Sequence, residues 1–167
     1  TPSVAIGQGY VSVTPIQLAN FVNLIASGGI WHPPKLLRDQ AESPSQTILD
    51  QKIIAPLLQG MVAVVNDPNG GTAKVARIDG FTVAGKTGTT NEARDVWFVG
   101  FTSNIVAGCY IGYDRPSPLG KGAGGGSTCG PVFNEFMQSA VQKYGGGEFR
   151  VPEGGHFINI DRFSGAR

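Results

Sequence analysis

Two short connections constrain this chain more than anything else in it. Residues 81–87, 95–101 and 105–113 are rich in β-branched and aromatic side chains and roughly alternate in polarity, as strands do. The connections that follow Thr89 and Phe101 are only residues 90–94 and 102–104. A parallel return needs a crossover of roughly a dozen residues or more, so links this short force antiparallel neighbours. The spacing therefore predicts a three-strand meander.

Helices are expected on either side of it. Thr14-Pro15-Ile16-Gln17 reads as an N-cap, a proline at the first helical position and a glutamine that completes a capping box. Leu18, Phe21, Val22 and Ile25 follow at three- and four-residue steps, and Gly28-Gly29 ends the run. Residues 31–47 read as a polar, proline-containing connection with a short strand at Lys35-Leu36-Leu37. A second helix is expected over 50–66, with Ile53, Ile54, Leu57, Leu58, Met61, Val62 and Val65 as its apolar stripe and Pro56 bending it or setting its start. Pro131 opens a last helix whose Val132, Phe133, Phe136, Met137 and Val141 face inward. Residues 145–167 read as an irregular tail. Helix, helix, meander and helix in that order imply an α/β (α+β) domain, an antiparallel sheet packed with helices.

Composition removes several function classes. Thirteen basic against twelve acidic residues leave a formal net charge of +1, which offers no general attraction to nucleic acid or an anionic membrane. No apolar run approaches the roughly 18 residues of a membrane-spanning helix. His32 and His156 are far apart and there is no Cys-x-x-Cys, so neither a metal nor a cofactor is expected. Cys109 lies in an apolar run and reads as a buried thiol, whereas Cys129 lies in a turn-rich stretch. A disulfide between them is compatible with an oxidising compartment. Glycine, 25 of 167 residues, is about twice the usual ~7% and clusters at turns and places of close backbone approach.

Gly80-Phe81-Thr82-Val83-Ala84-Gly85-Lys86-Thr87 matches the phosphate-loop pattern letter for letter. That loop needs a helix directly after it to supply donors to the phosphates. Here the interior, Phe-Thr-Val-Ala, is strand material, and Gly88-Thr89-Thr90-Asn91 starts no helix. On a strand the same letters suit a different use. Lys86 and Gly88 share one face, Thr87 and Thr89 the other, and Gly88 lets a ligand lie against the backbone. Four letters alone also fit an ordinary solvated lysine beside a hairpin glycine.

Several blocks in order make a stronger pattern: Gly7-Gln8-Gly9, Val13-Thr14-Pro15-Ile16-Gln17-Leu18-Ala19, Ala26-Ser27-Gly28-Gly29, Ala84-Gly85-Lys86-Thr87-Gly88-Thr89-Thr90, Asp95-Val96-Trp97-Phe98-Val99-Gly100-Phe101, Ile111-Gly112-Tyr113-Asp114 and Phe149-Arg150-Val151-Pro152-Glu153-Gly154. With these the chain resembles the transpeptidase domain of class A, bifunctional penicillin-binding proteins, the 1A type in particular. The resemblance implies that residues 1–144 are the C-terminal half of that domain and 145–167 its tail. The family carries Ser-x-x-Lys, Ser-x-Asn and Lys-Thr/Ser-Gly. Only the third is present, as Lys86-Thr87-Gly88; no serine has lysine three residues on or asparagine two residues on.

The roles that follow are the family's. Lys86, Thr87, Gly88, Thr89 and Thr90 would bind the carboxylate-bearing end of a peptidoglycan stem peptide or a β-lactam. The Thr89 N–H would be an oxyanion donor, which makes Lys86 and Thr89 the catalytic candidates. Gln8 and Asn91 are candidate cleft walls, though Gly7-Gln8-Gly9 reads equally as a turn. The expected partners are stem peptides, β-lactam antibiotics and the N-terminal remainder of the domain, which would bring the acylating serine. Membrane contact would come only through an anchor outside this sequence, on the periplasmic face of the bacterial inner membrane, and the parent would also hold a glycosyltransferase domain. A peptide-binding fragment without chemistry and a β-lactamase-like hydrolase are the alternatives.

Overall fold

The structure, a computed structural model, describes Gly7 and residues 12–149. Helix α1 spans Pro15–Ala26. Its start follows the local sequence: the Gln17 N–H donates to Thr14 Oγ1 (3.3 Å), and the Thr14 N–H donates to Gln17 Oε1 (2.8 Å). Gly28, with φ at +72°, turns the chain out of the helix through a conformation that L side chains rarely adopt. A two-residue ribbon follows, β1 (Ile30–Trp31) pairing antiparallel with β2 (Gln46–Thr47). The strand expected at Lys35-Leu36-Leu37 is absent; that stretch is bends and coil, and Leu36 is 99% exposed. The stretch closes a local turn instead, the Leu36 N–H donating to Gln40 Oε1 (3.2 Å) and the Gln40 N–H to Leu37 O (3.2 Å).

Helix α2, Gln51–Asn66, begins where the Asp50 carboxylate accepts from the Lys52 N–H at 2.7 Å. Pro56 sits inside it rather than at its start. At the far end the Asn66 side-chain amide donates to Val62 O (2.8 Å) and to Val83 O (2.7 Å), which fixes the approach to the sheet.

The sheet is β3 (Ala84–Thr89), β4 (Asp95–Phe101) and β5 (Val106–Gly112), antiparallel throughout and ordered β3-β4-β5. It matches the expected meander, except that β3 starts at Ala84, and Phe81 makes only an isolated bridge to Ile78. A π-type turn, Gly125–Cys129, then leads directly into α3, Gly130–Tyr144.

Helices cover both faces of the sheet, as alternation along β4 requires. Val99 and Phe101 pack with Ala84 against Val22 and Ile25 of α1, Ile54 and Met61 of α2, and Phe149. Val96 and Phe98 point the other way, into Phe133, Met137, Ala140 and Val141 of α3, with Cys129, Ala73 and Ala76. Phe98 meets Phe133 edge-on at 4.8 Å between ring centroids. Phe101 meets Phe149 in the same way at 5.4 Å, so the first residues beyond α3 remain packed on the sheet.

The helices bury narrower stripes than the sequence suggested. Phe21, Ile53, Leu57, Val132 and Phe136 are all exposed. On α3 the inward positions are 133, 137, 140 and 141, so 132 and 136 fall on the flank beyond β5. A helix laid on a three-strand sheet buries one stripe, and its apolar flanks extend past the sheet's edge.

Candidate functional site

The sheet leaves the outer side of β3 without a paired strand, and Lys86–Thr89 lie there. Antiparallel pairs alternate between those that exchange backbone hydrogen bonds and those that do not. The Thr90 N–H donates to Asp95 O at 3.0 Å, so Thr90 faces β4. By the two-residue repeat Gly88 and Lys86 also face β4, opposite Trp97 and Val99. The other hairpin has the complementary parity, since the Thr102 N–H donates to Ile105 O at 3.0 Å. The N–H and C=O groups of Gly85, Thr87 and Thr89 therefore point out of the sheet's edge.

The side chains sort by face. Thr87 and Thr89 point to the α3 side, where each hydroxyl has a partner: Thr87 Oγ1 lies 3.2 Å from Thr72 Oγ1, and Thr89 Oγ1 accepts the Gly125 N–H at 3.1 Å. Gly125 lies against bare backbone. A Cβ on it would run into Trp97 O and come within 2.9 Å of both the N and the O of Gly88, so only glycine fits there. On the opposite face Lys86 is exposed, and its ammonium donates to the outward Thr87 carbonyl at 2.7 Å. Gly88 offers no side chain there, only Trp97, whose Cβ would sit 3.3 Å from a Cβ on the glycine.

Trp97 and its cross-strand partner Tyr110 form a tilted aromatic pair with centroids 4.5 Å apart. The Tyr110 hydroxyl donates to Asp95 Oδ1 at 2.7 Å. That hydrogen bond first, then burial, then the negative charge of Asp95, raise the Tyr110 phenol above its ordinary value. Asp95 is tied down further, its N–H donating to Thr90 Oγ1 at 2.8 Å. Asp95 thus acts locally, as a clamp between β3, β4 and β5.

The sequence candidates separate accordingly. Lys86, Thr87, Gly88 and Thr89 are together on one strand at one open edge. Thr90 is adjacent, with its hydroxyl engaged at Asp95. Asn91 is exposed and starts a one-turn 3₁₀ segment, Asn91–Ala93. Gln8 lies outside the described residues. Lys86 and Thr87 are extended and paired to Val99 and Phe98, a geometry no phosphate-cradling loop has. Sequence reasoning missed Thr72 and Gly125, which hold the strand from behind. The Gly124-Gly125-Gly126 run signalled a close backbone approach, but its partner lies 36 residues away. Among the described residues no group of three or more His, Cys, Asp or Glu side chains gathers as metal ligands would, and no helix is long and apolar enough to cross a membrane.

Known proteins give the same picture. A family model described as the penicillin-binding protein transpeptidase domain matches residues 1–138. Penicillin-binding protein 1A of Rickettsia typhi is 32% identical over 187 residues, an alignment covering 94% of this chain and 24% of that protein. The protein of the same name from Rickettsia prowazekii is 45% identical over 95 residues, covering 57% of this chain and 12% of the relative. The chain thus spans about a quarter or less of the length of these curated relatives. Among solved structures, the 2.6 Å crystal structure of penicillin-binding protein 1A from Haemophilus influenzae aligns with a TM-score of 0.77 over 99% of this chain and 32% of its own. At 19% identity that likeness speaks for the fold.

Proposed function

The chain belongs to the penicillin-binding protein transpeptidase family, and from that membership we propose that it is the C-terminal half of a 1A-type D,D-transpeptidase domain. Its role is to hold the peptide that the reaction cleaves. The acylating serine and its lysine come from a part of the protein outside this sequence, since no Ser-x-x-Lys occurs among the 167 residues. The serine oxygen attacks the D-Ala–D-Ala carbonyl of a stem peptide, D-alanine leaves, and an amine of a neighbouring stem releases the acyl group as a crosslink. A β-lactam takes the same seat and stops at the acyl-enzyme.

One observation supports this reading above the rest: the outward backbone groups of Thr87 and Thr89 beside side-chain-free Gly88. An extended peptide lies along that edge as an added strand. The Thr89 N–H is placed to receive the carbonyl oxygen as it gains charge, and a donor of this kind is worth roughly 2.7–4 kcal/mol at the transition state. Lys86 answers the terminal carboxylate. To do so its ammonium leaves Thr87 O, its partner in the structure, and that same carbonyl becomes free to accept an N–H from the ligand.

The experiment is acylation by a fluorescent penicillin in the protein that contains both the serine and this chain. Lys86→Ala should slow acylation roughly 10- to 100-fold, the equivalent of the ~1.5–3 kcal/mol carried by a hydrogen bond to a charged group. The melting temperature should not change, because Lys86 is exposed. Unchanged acylation in that variant would refute the assignment, and so would covalent label on this chain in isolation. The periplasmic, membrane-anchored setting and an accompanying glycosyltransferase belong to the same proposal and stand on the relatives' family alone.

A further inference from the structure

Two thiols meet behind the sheet. Cys109 stands on β5 opposite Phe98, and Cys129 closes the Gly125–Cys129 turn at the mouth of α3. Both belong to the apolar cluster on the α3 side, and both are free. The Cys129 thiol, fully buried, donates towards the carbonyls of Cys109 at 3.3 Å and Val96 at 3.5 Å. Cys109 is half-buried and lines an open cleft of about 350 Å³ between β5 and α3, together with Tyr110, Ile111, Val132 and Phe136. We propose that Cys109 and Cys129 are a redox pair, which a disulfide oxidant closes into a cross-link between β5 and the turn that backs Gly88 and Thr89.

Access sets the order of the steps. The Cys109 sulfur, reachable from the cleft, attacks the oxidant R–S–S–R; its thiol proton is lost, one RSH leaves and a mixed disulfide remains. Cys129 then loses its proton and attacks the Cys109 sulfur, expelling the second RSH. Two thiols are oxidised and one disulfide is reduced, so electrons and protons balance. Burial first, and then the neighbouring Cys109 thiol, push the Cys129 thiol up to about 12. Closure is therefore slow at neutral pH and accelerates in alkali. The cross-link ties down the turn whose Gly125 N–H holds the Thr89 hydroxyl.

The test is oxidised glutathione added to the full chain and followed by intact mass. One glutathione adduct should form at Cys109 and then resolve to the loss of two hydrogens, with closure faster at pH 9 than at pH 7. Dithiothreitol should reverse it. Cys129→Ala should stop the reaction at a stable adduct, and Cys109→Ser should take up no glutathione until unfolded. Closure should raise the melting temperature. An adduct that never resolves although circular dichroism reports a folded chain would overturn the pairing. So would a closed bridge that lowers the melting temperature, or modification of Cys129 before Cys109. None of these readouts involves penicillin, so the pairing stands or falls apart from the function proposed above.

Discussion

The two edges of the sheet handle the same problem in different ways. An edge strand presents unpaired N–H and C=O groups, to which another chain can add. On β3 the outward groups are those of Gly85, Thr87 and Thr89, and both threonine hydroxyls are engaged on the α3 side. What remains at that edge is bare backbone, two glycines and one cation, with the cation resting on Thr87 O. On β5 the outward groups are those of Val106, Gly108, Tyr110 and Gly112, and no residue of that strand carries a formal charge. Its flank is the apolar pair Val132 and Phe136. The two edges therefore differ in what they offer: a cation beside a glycine on β3, and no charge at all on β5.

Substitutions can break or sharpen that contrast. The largest effect belongs to what the edges share. Phe98 on β4 is fully buried against α3, and Phe98→Ala should cost about 3–5 kcal/mol in urea unfolding; a loss below about 1 kcal/mol would mean that β4 is not the anchor of both edges. Next comes the support of β3 alone. Gly125→Val forces a side chain into the Gly88 backbone and should cost about 1–3 kcal/mol, and it should also slow penicillin acylation in the serine-bearing protein. If the stability cost appears with acylation intact, the β3 edge does not depend on its backing.

The third test uses pH. The folded state holds the Cys129 thiol up to about 12 against an ordinary 9.0, so the thiol is neutral in both states below the unfolded value. As pH climbs from there the unfolded chain ionises first, and stability falls until the folded value is passed. Tyr110 is raised as well and adds a loss of the same sign, in its own alkaline range. The melting temperature should drop above pH 9 and drop less in Cys129→Ala; an identical alkaline limb in the two chains would refute the assignment to Cys129. The smallest effect is at the β5 flank. Val132→Ser and Phe136→Ser remove side chains that are 51% and 57% exposed and should each change stability by no more than about 0.5 kcal/mol. A larger loss would show that this flank is covered in solution.

The sheet was legible because its controlling information is local: links of a few residues leave the strands no other arrangement. The start of α1 was legible for the same reason, with donors and acceptors of the capping box three residues apart. The Lys86–Thr89 stretch could be placed on a strand and assigned faces from its alternation. What periodicity could not supply was the width of each buried stripe, so Phe21, Ile53, Leu57, Val132 and Phe136 looked like core. The ribbon of Ile30–Trp31 with Gln46–Thr47 is too short to have a period at all. Thr72 and Gly125 were missed because their contacts cross 15 and 36 residues of chain, and nothing in a run of letters joins such positions.

Asn66 carries a consequence out of proportion to its size. Both hydrogens of its amide are committed, one to the last turn of α2 and one to the residue just before β3. Aspartate has nearly the same outline, yet it would set an oxygen against those two carbonyl oxygens where the amide nitrogen stood, and bring no hydrogen to either. Hydrolysis of this one amide to aspartate would therefore loosen the joint between α2 and β3.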